Sequence, residues 1–205
     1  RGSHTPRRRA AAAWACLPHI KDLQPDAPPG YDRVIMLYGE PRVRPAALQD
    51  LDVLVDFNCR LAAETEARSL AREVVRLGVR RVLEDARLGR YFVADRAVLP
   101  MAAPTSEPML AVAPVLAGQL MITTEWSDWR NGLFWWIQSV YVLPEHRGQG
   151  VFRTLFAHVA ALARQDPQTC GLRLYVARQN RQAQAAYERL GMSSAGYLVY
   201  ELECR

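Results

Sequence analysis

The residues best equipped to do chemistry lie in one short run, Arg147-Gly148-Gln149-Gly150, with Arg153 close behind. Two glycines let an oxyanion approach the main chain closely. Trp135 to Leu143, just before the run, are largely aromatic, β-branched and aliphatic, the types a sheet prefers, and Pro144 ends the ladder because it has no N–H to donate. After Gly150 the apolar residues Val151, Leu155, Phe156, Val159 and Leu162 fall at helical spacing. A strand, a glycine turn and a helix N-terminus in that order predict an anion site. First-turn N–H groups lack intrahelical partners, and the helix dipole adds partial positive charge. With Arg147 and Arg153 on either side, the run reads as a pyrophosphate cradle.

Pattern decides which cradle. A GxxxxGK[ST] loop needs a lysine after its glycines, and the one lysine of the chain is Lys21. A GxGxxG dinucleotide fingerprint needs glycine where Arg153 stands. Arg147 to Phe152 instead resembles the [QR]xxGx[GA] loop of the acyl-CoA-dependent N-acetyltransferases, the GNAT superfamily, with Phe152 in the place of a small residue. Leu172 to Met192, LRLYVARQNRQAQAAYERLGM, resembles that superfamily's second cofactor segment, LxVxxxNxxAxxxYxxxGF. There Leu172, Leu174 and Val176 alternate as in a strand, Asn180 offers N-cap chemistry, and Ala183 and Tyr187 share one helical face. Gly191 can take the positive φ that ends a helix. The resemblance extends from Val43 to Glu203.

This resemblance implies a GNAT fold of the α/β (α+β) class: a mixed, mostly antiparallel sheet flanked by helices, with splayed central strands. It implies transfer of an acetyl group from acetyl-CoA directly to a primary amine, with no acyl-enzyme intermediate. By the same resemblance, the main chain of Val140, Tyr141 and Val142 pairs with the pantetheine arm of CoA. Arg147, Gly148, Gln149, Gly150, Val151, Phe152 and Arg153 hold the pyrophosphate, Asn180 and Ala183 contact the cofactor, and Tyr187 protonates the departing thiolate. The plainer readings are that Tyr187 only packs at its helix end and that Asn180 only caps the helix.

A general base is harder to find. Members of the superfamily often carry a glutamate on the strand before the phosphate loop, but Trp135-Trp136-Ile137-Gln138-Ser139 holds no carboxylate. The nearest are Glu125 and Asp128, in the turn between the two central strands. Partial desolvation of Glu125 would raise its pKa toward a useful value, and a water chain is the alternative. Glu64 and Glu66 sit where the family builds its acceptor pocket and would favour a cationic small-molecule amine; a solvated loop is the plain reading. Trp126, Trp129, Trp135 and Trp136 suggest an aromatic wall for the acceptor, shared with the core. His146 is expected on the outer side of the loop and His158 on a helix, and no Ser-His-Asp or Cys-His arrangement follows from spacing. The absent strand carboxylate and the bulky Phe152 motivate a second reading, a non-catalytic module that binds acyl-CoA or a partner.

The elements that must hold these groups are legible in outline. The chain has 205 residues, 50% of them apolar, which suits one domain over residues 31–205. Its net charge of +5 comes from arginines dispersed beside Asp and Glu, which argues against a nucleic-acid surface and for attraction of an anionic cofactor. Four cysteines without CxxC or metal-ligand spacing predict no metal site and a reducing, cytoplasmic setting. No apolar run has the length of a membrane span. Residues 1–30 read as a vector scar, Arg1-Gly2-Ser3-His4, then a basic arm and a Pro-rich linker, and a homodimer is the base-rate expectation for assembly. The expected order is β-αα-βββ-α-β-α-β. A helix over Pro45–Ala63 breaks at Glu64-Thr65-Glu66, and a second follows over Leu70–Leu88 with Val74, Leu77, Val82 and Leu83 inward and Gly78 as its weak point. A strand at Arg90–Asp95, an Ala/Pro-rich insertion at Ala97–Pro114, a hairpin of Val115–Glu125 with Leu133–Leu143, and a last strand at Tyr197–Leu202 complete the expectation.

Overall fold

The computed structural model describes residues 37–99, 114–202 and 204. A short strand β1 (Leu37–Tyr38) pairs antiparallel with β4 (Val98–Leu99), apart from the main sheet. The main sheet holds β2 (Arg42–Pro45), β3 (Arg90–Arg96), β5 (Val115–Ser127), β6 (Gly132–Val142) and β7 (Thr169–Leu174). Its order is β2-β3-β5-β6-β7, antiparallel except for the β6–β7 pair. That pair is parallel because a helical crossover, α3 (Val151–Gln165), lies between its strands. Two further helices, α1 (Leu51–Glu66) and α2 (Arg72–Glu84), connect β2 to β3, and α4 (Arg181–Arg189) follows β7. This is the expected GNAT-type α/β architecture, a mostly antiparallel sheet between helices.

Strand alternation divides the core in two. Phe92, Leu120, Ile122, Ile137 and Val140 point to one face and meet Leu155, Phe156 and Val159 of α3. Tyr91 and Val93 point to the other and meet Leu51, Leu54 and Val55 of α1 and Val79 of α2. Where α3 begins it lies tight on the sheet. A Cβ on Gly118 would stand 2.7 Å from the Tyr141 carbonyl oxygen and 3.3 Å from a methyl of Val151. Glycine there allows the helix N-terminus to sit directly beside β6.

Several boundaries differ from expectation. Pro45 belongs to β2 and Leu48 is exposed; α1 begins at Leu51 and runs through Glu64 and Glu66 before the chain turns at Ala67 in a left-handed conformation. α2 is unbroken at Gly78, and its inner face is Val75, Val79, Val82 and Leu83, whereas Val74 and Leu77 are 68% and 64% exposed. The helical period was right and its phase was not, because Val79 is the residue that meets the sheet. Tyr197–Leu202 form no strand; Tyr197 and Tyr200 are 81% and 88% exposed, and β7 ends the sheet. Alternation supplies strand propensity but no partner, and Gly191 and Gly196, both at positive φ, break the chain between α4 and this segment. Residues 1–30 and most of the Ala97–Pro114 insertion lie outside the described residues. Among the described residues no helix is long and apolar enough to cross a membrane.

Candidate active site

The glycine turn adopts the conformation that a close backbone approach requires. Gly148 and Gly150 have φ of 72° and 84°, and Gly150 is the N-cap of α3, where no side chain caps the exposed amides. A Cβ placed on Gly148 would meet nothing within 4 Å, and one on Gly150 only an Arg153 guanidinium nitrogen at 3.9 Å, so the space over the turn is open. Arg147 Nε donates to the Val142 carbonyl (2.9 Å) and its Nη2 to Glu64 Oε2 (2.6 Å). Gln149 is held from both ends: its Nε2 donates to Glu145 O (2.7 Å), and its Oε1 accepts from Arg96 Nη1.

Behind the turn lies a buried group that the sequence placed elsewhere. His146, expected on the outer surface, is 1% exposed. A 3-10 turn at Pro144–His146 folds the segment back, with His146 N–H donating to Leu143 O (2.9 Å), and sends the imidazole inward. Its Nδ1 lies 3.4 Å from Arg96 Nη1, its ring meets Tyr38 edge-on at 4.4 Å, and its Nε2 has no partner among the described residues. Burial, and then the Arg96 cation, hold its pKa below the ordinary histidine value.

Beside the turn, the two central strands separate. β6 and β7 pair from Leu133↔Thr169 to Ile137↔Leu174, and β6 then continues to Val142 paired with β5 but without β7. Leu143 N–H donates to Ala117 O (2.9 Å), so by alternation Tyr141 turns its backbone groups toward β5 while Val140 and Val142 turn theirs into the gap. The Val142 carbonyl is the one that Arg147 engages. Across the gap stands Tyr187, buried on α4, with its ring edge-on to Phe152 at 5.9 Å. The bulky residue in the small-residue position of the loop therefore packs against this tyrosine. Asn180 Oδ1 accepts from Ala183 N–H (3.0 Å) and caps α4, and Ala183 is fully buried.

From the gap a cavity of about 430 Å³ opens between the sheet and α1/α2. Tyr187, Leu174 and Val140 line it on the side of the gap, and Leu61, Val79 and Val82 line it on the side of α1 and α2. Among the polar side chains that also line it, Asn58, Tyr91 and Ser139 form one group. Cross-strand register explains two of them: Tyr91 faces Met121 and Met121 faces Ser139, so all three stand in one row. Asn58 Nδ2 donates to Tyr91 Oη (3.2 Å) and to Leu54 O (3.0 Å), and its Oδ1 accepts from Gln119 Nε2 (3.1 Å). Burial raises the Tyr91 phenol above its ordinary value, partly offset by hydrogen bonds from Asn58 and Ser139.

The acceptor-side candidates divide. Glu66 lines the cavity. Glu64 does not, because it accepts from Tyr141 Oη (2.7 Å) and from Arg147. Burial, then the bond to Glu64, push the Tyr141 phenol up to about 12. Glu125 also lies off the cavity wall, accepting from Trp136 Nε1 and from Arg173 Nη1 (2.9 Å). Trp126, Asp128 and Trp129 are exposed near the β5–β6 hairpin end, Trp135 is buried on the α3 face under the Arg90 guanidinium, and Trp136 stacks on Tyr175 at 4.4 Å. The four tryptophans thus form no common wall, since alternate strand residues face opposite ways. Asn58, Tyr91, Ser139 and Gln119 were missed. The signal for Asn58 was a lone amide among the apolar positions of α1, and for Gln119 a lone amide in the apolar run Val115–Ile122. Among the described residues no group of His, Cys, Asp or Glu could hold a metal.

A model of the acetyltransferase (GNAT) family matches residues 68–192. Among solved structures, a possible acetyltransferase from Clostridium difficile 630 is 39% identical, with 80% of this chain and 98% of that one covered at a TM-score of 0.67. A ribosomal-protein-alanine N-acetyltransferase from Brucella melitensis biovar Abortus 2308 shares the fold at 15% identity, covering 80% and 99% at a TM-score of 0.57. So does AAC(6')-Iy in complex with the bisubstrate analog CoA-S-monomethyl-acetylneamine, at 14% identity, the same coverage and a TM-score of 0.61. No curated protein matches the chain.

Proposed function

The chain belongs to the GNAT acetyltransferase family, and on that premise we propose that it transfers an acetyl group from acetyl-CoA directly to the primary amine of a small molecule. The observation that carries this reading is one cavity lined by both Tyr187 and Val140, opening where β6 and β7 separate beside the glycine turn. Open space over Gly148 and Gly150 fits an anionic group held by main-chain amides of Gly148 to Arg153, with Arg147 and Arg153 adding charge. The backbone of Val140 and Val142 faces the gap and offers strand-like pairing to the amides of a pantetheine arm, while Tyr141 anchors β6 to β5. Asn180 and Ala183 fix the helix turn that presents Tyr187.

When bound, acetyl-CoA supplies the activated acetyl group. The chain's own work is positioning and proton transfer. Tyr187 Oη, on the buried side of the gap, is the proton donor to the departing sulfur. Glu66 is the carboxylate on the cavity wall and receives the incoming ammonium there, with water carrying its proton outward. Glu125 is held by Trp136 and Arg173 and takes no part in this scheme.

Calorimetry with acetyl-CoA and a thiol-release assay over an amine panel test the reading together. Micromolar binding and release of thiol with at least one amine are expected. Tight binding with no release from any amine would favour the non-catalytic acyl-CoA-binding module, for which Phe152 and the missing strand carboxylate are the motive.

A further inference from the structure

The cavity walls also bear on what the acceptor is, given the acetyltransferase reading above. We propose that the acceptor is a monoamine with an uncharged hydrocarbon or aromatic body, and that the site rejects amines carrying a second charge of either sign. Beyond the gap the walls are Leu61, Ala62, Val75, Val79, Val82 and Met121. Asn58, Thr65, Tyr91, Gln138 and Ser139, uncharged polar side chains on the wall, are engaged within the protein. Asn58 donates to Tyr91 (3.2 Å), Tyr91 bonds Ser139, and Gln119 behind them donates to Asn58 (3.1 Å). Thr65 Oγ1 donates to Leu61 O (2.8 Å), and Gln138 Nε2 donates to Thr123 Oγ1 (2.7 Å). These groups have no charge to offer a buried ion, even though Gln119 Oε1, behind the wall, has no partner among the described residues. An unpaired ion in apolar walls is disfavoured far more than a hydrocarbon of equal size.

Among the described residues only two charged ones line the cavity, Glu66 and Arg68, both exposed and opposite in sign. Glu66 can meet one ammonium, that of the reacting amine, and nothing remains for a second. Arg68, exposed and two residues from Glu66, stands at the solvent side and does not pair with a carboxylate lodged among the apolar walls. Glu64, whose sequence position suggested a paired carboxylate site for a cationic acceptor, is bonded to Tyr141 and Arg147 instead. A cavity of about 430 Å³ lies near the lower end of the range of small-molecule sites, roughly 300–1,000 Å³, so the body is small as well as apolar.

A matched series separates charge from size: hexylamine, 1,6-diaminohexane and 6-aminohexanoate, compared by kcat/KM in the thiol-release assay at saturating acetyl-CoA. Hexylamine is expected to exceed each of the others by about tenfold or more, the discrimination typical when a buried site meets the wrong polarity. Equal or better turnover of the diamine or of the amino acid overturns the proposal. In Leu61→Glu, which adds a carboxylate to the wall, the ratio of diamine to hexylamine turnover should rise. Should that variant fail to fold, the wild-type ratios decide alone. If CoA binds but no amine is acetylated, the catalytic reading falls, and thermal shifts with the same three compounds still decide this one. Stabilisation by hexylamine and not by the charged pair supports it, and equal shifts overturn it.

Discussion

The two ends of the site are built by opposite means. At the proposed cofactor end the groups on offer are main chain: the turn around Gly148 and Gly150, the first amides of α3, and the backbone that Val140 and Val142 turn away from β5, with the Val142 carbonyl already held by Arg147. They come from a continuous stretch, and their directions are set by glycine conformation and strand alternation. At the proposed acceptor end the groups on offer are side chains from α1, α2, β3, β5 and β6, brought together only when the sheet forms. Backbone recognition is indifferent to many side-chain changes, which is why Phe152 can occupy a small-residue position and use its ring to support Tyr187. Side-chain recognition has no such tolerance. Affinity for acyl-CoA should therefore depend on a few glycines, and choice of amine on many apolar residues.

The largest effect is expected where the two ends meet. Tyr187→Phe should lower kcat by about 10²-fold, the usual worth of a positioned proton donor, with acetyl-CoA affinity retained. An unchanged kcat would remove Tyr187 from the chemistry and leave it a packing residue against Phe152. Gly150→Val should act on the cofactor end alone. A branched side chain at φ of 84° costs about 1–2 kcal/mol, so KM for acetyl-CoA should rise by about tenfold while that of the amine holds. If both constants rise together, the two ends are not separable. A smaller effect, of opposite sign, is expected at Glu64→Gln. The Glu64–Arg147 pair is part-exposed and worth about 1 kcal/mol or less, and the pyrophosphate must compete with it for Arg147. Removing that carboxylate should tighten CoA binding by a few-fold, and weaker binding would show that Glu64 instead holds Arg147 in place for the ligand.

How much could be read in the chain follows the same division. Arg147 to Arg153 and Asn180 to Tyr187 were legible because local rules, glycine freedom, helix capping and i, i+3, i+7 spacing, determine where their groups point. The β5–β6 hairpin was legible because alternation and its polar turn agree. Phase and burial were not. Val74 and Val75 are equally apolar, and only the position of the sheet makes Val75 the inward one. Tyr197–Leu202 alternate like a strand, yet pairing needs an edge that sequence cannot display. Glu64 and Glu66 are two residues apart on α1, which a helix turns to different sides; one reached the cavity and the other reached Arg147.

The smallest expected effect concerns His146, which touches the cofactor end from behind and does not line the cavity. Its folded pKa lies below the ordinary 6.5, because burial and Arg96 both disfavour the imidazolium. The unfolded chain therefore takes up a proton near pH 6.5 that the folded chain refuses. Stability is full above that pH and declines as pH falls through the lower folded value. Asp50 behaves similarly in a separate window. Desolvation raises its pKa, but hydrogen bonds from Arg44 and from Ala47 N–H outweigh this and lower it below 3.8. Its contribution is therefore lost only in stronger acid. Urea midpoints measured between pH 7.5 and about 5 should accordingly fall in the wild type and stay nearly level in His146→Phe, which keeps a ring against Tyr38 without a titrating nitrogen. Equal slopes would assign the acid sensitivity to another group. Because Arg96 contacts both His146 and Gln149, protonation should loosen the glycine turn first. Over the same pH range KM for acetyl-CoA should then rise, while the order of preference among amines, set by Leu61, Val79 and Val82, does not change.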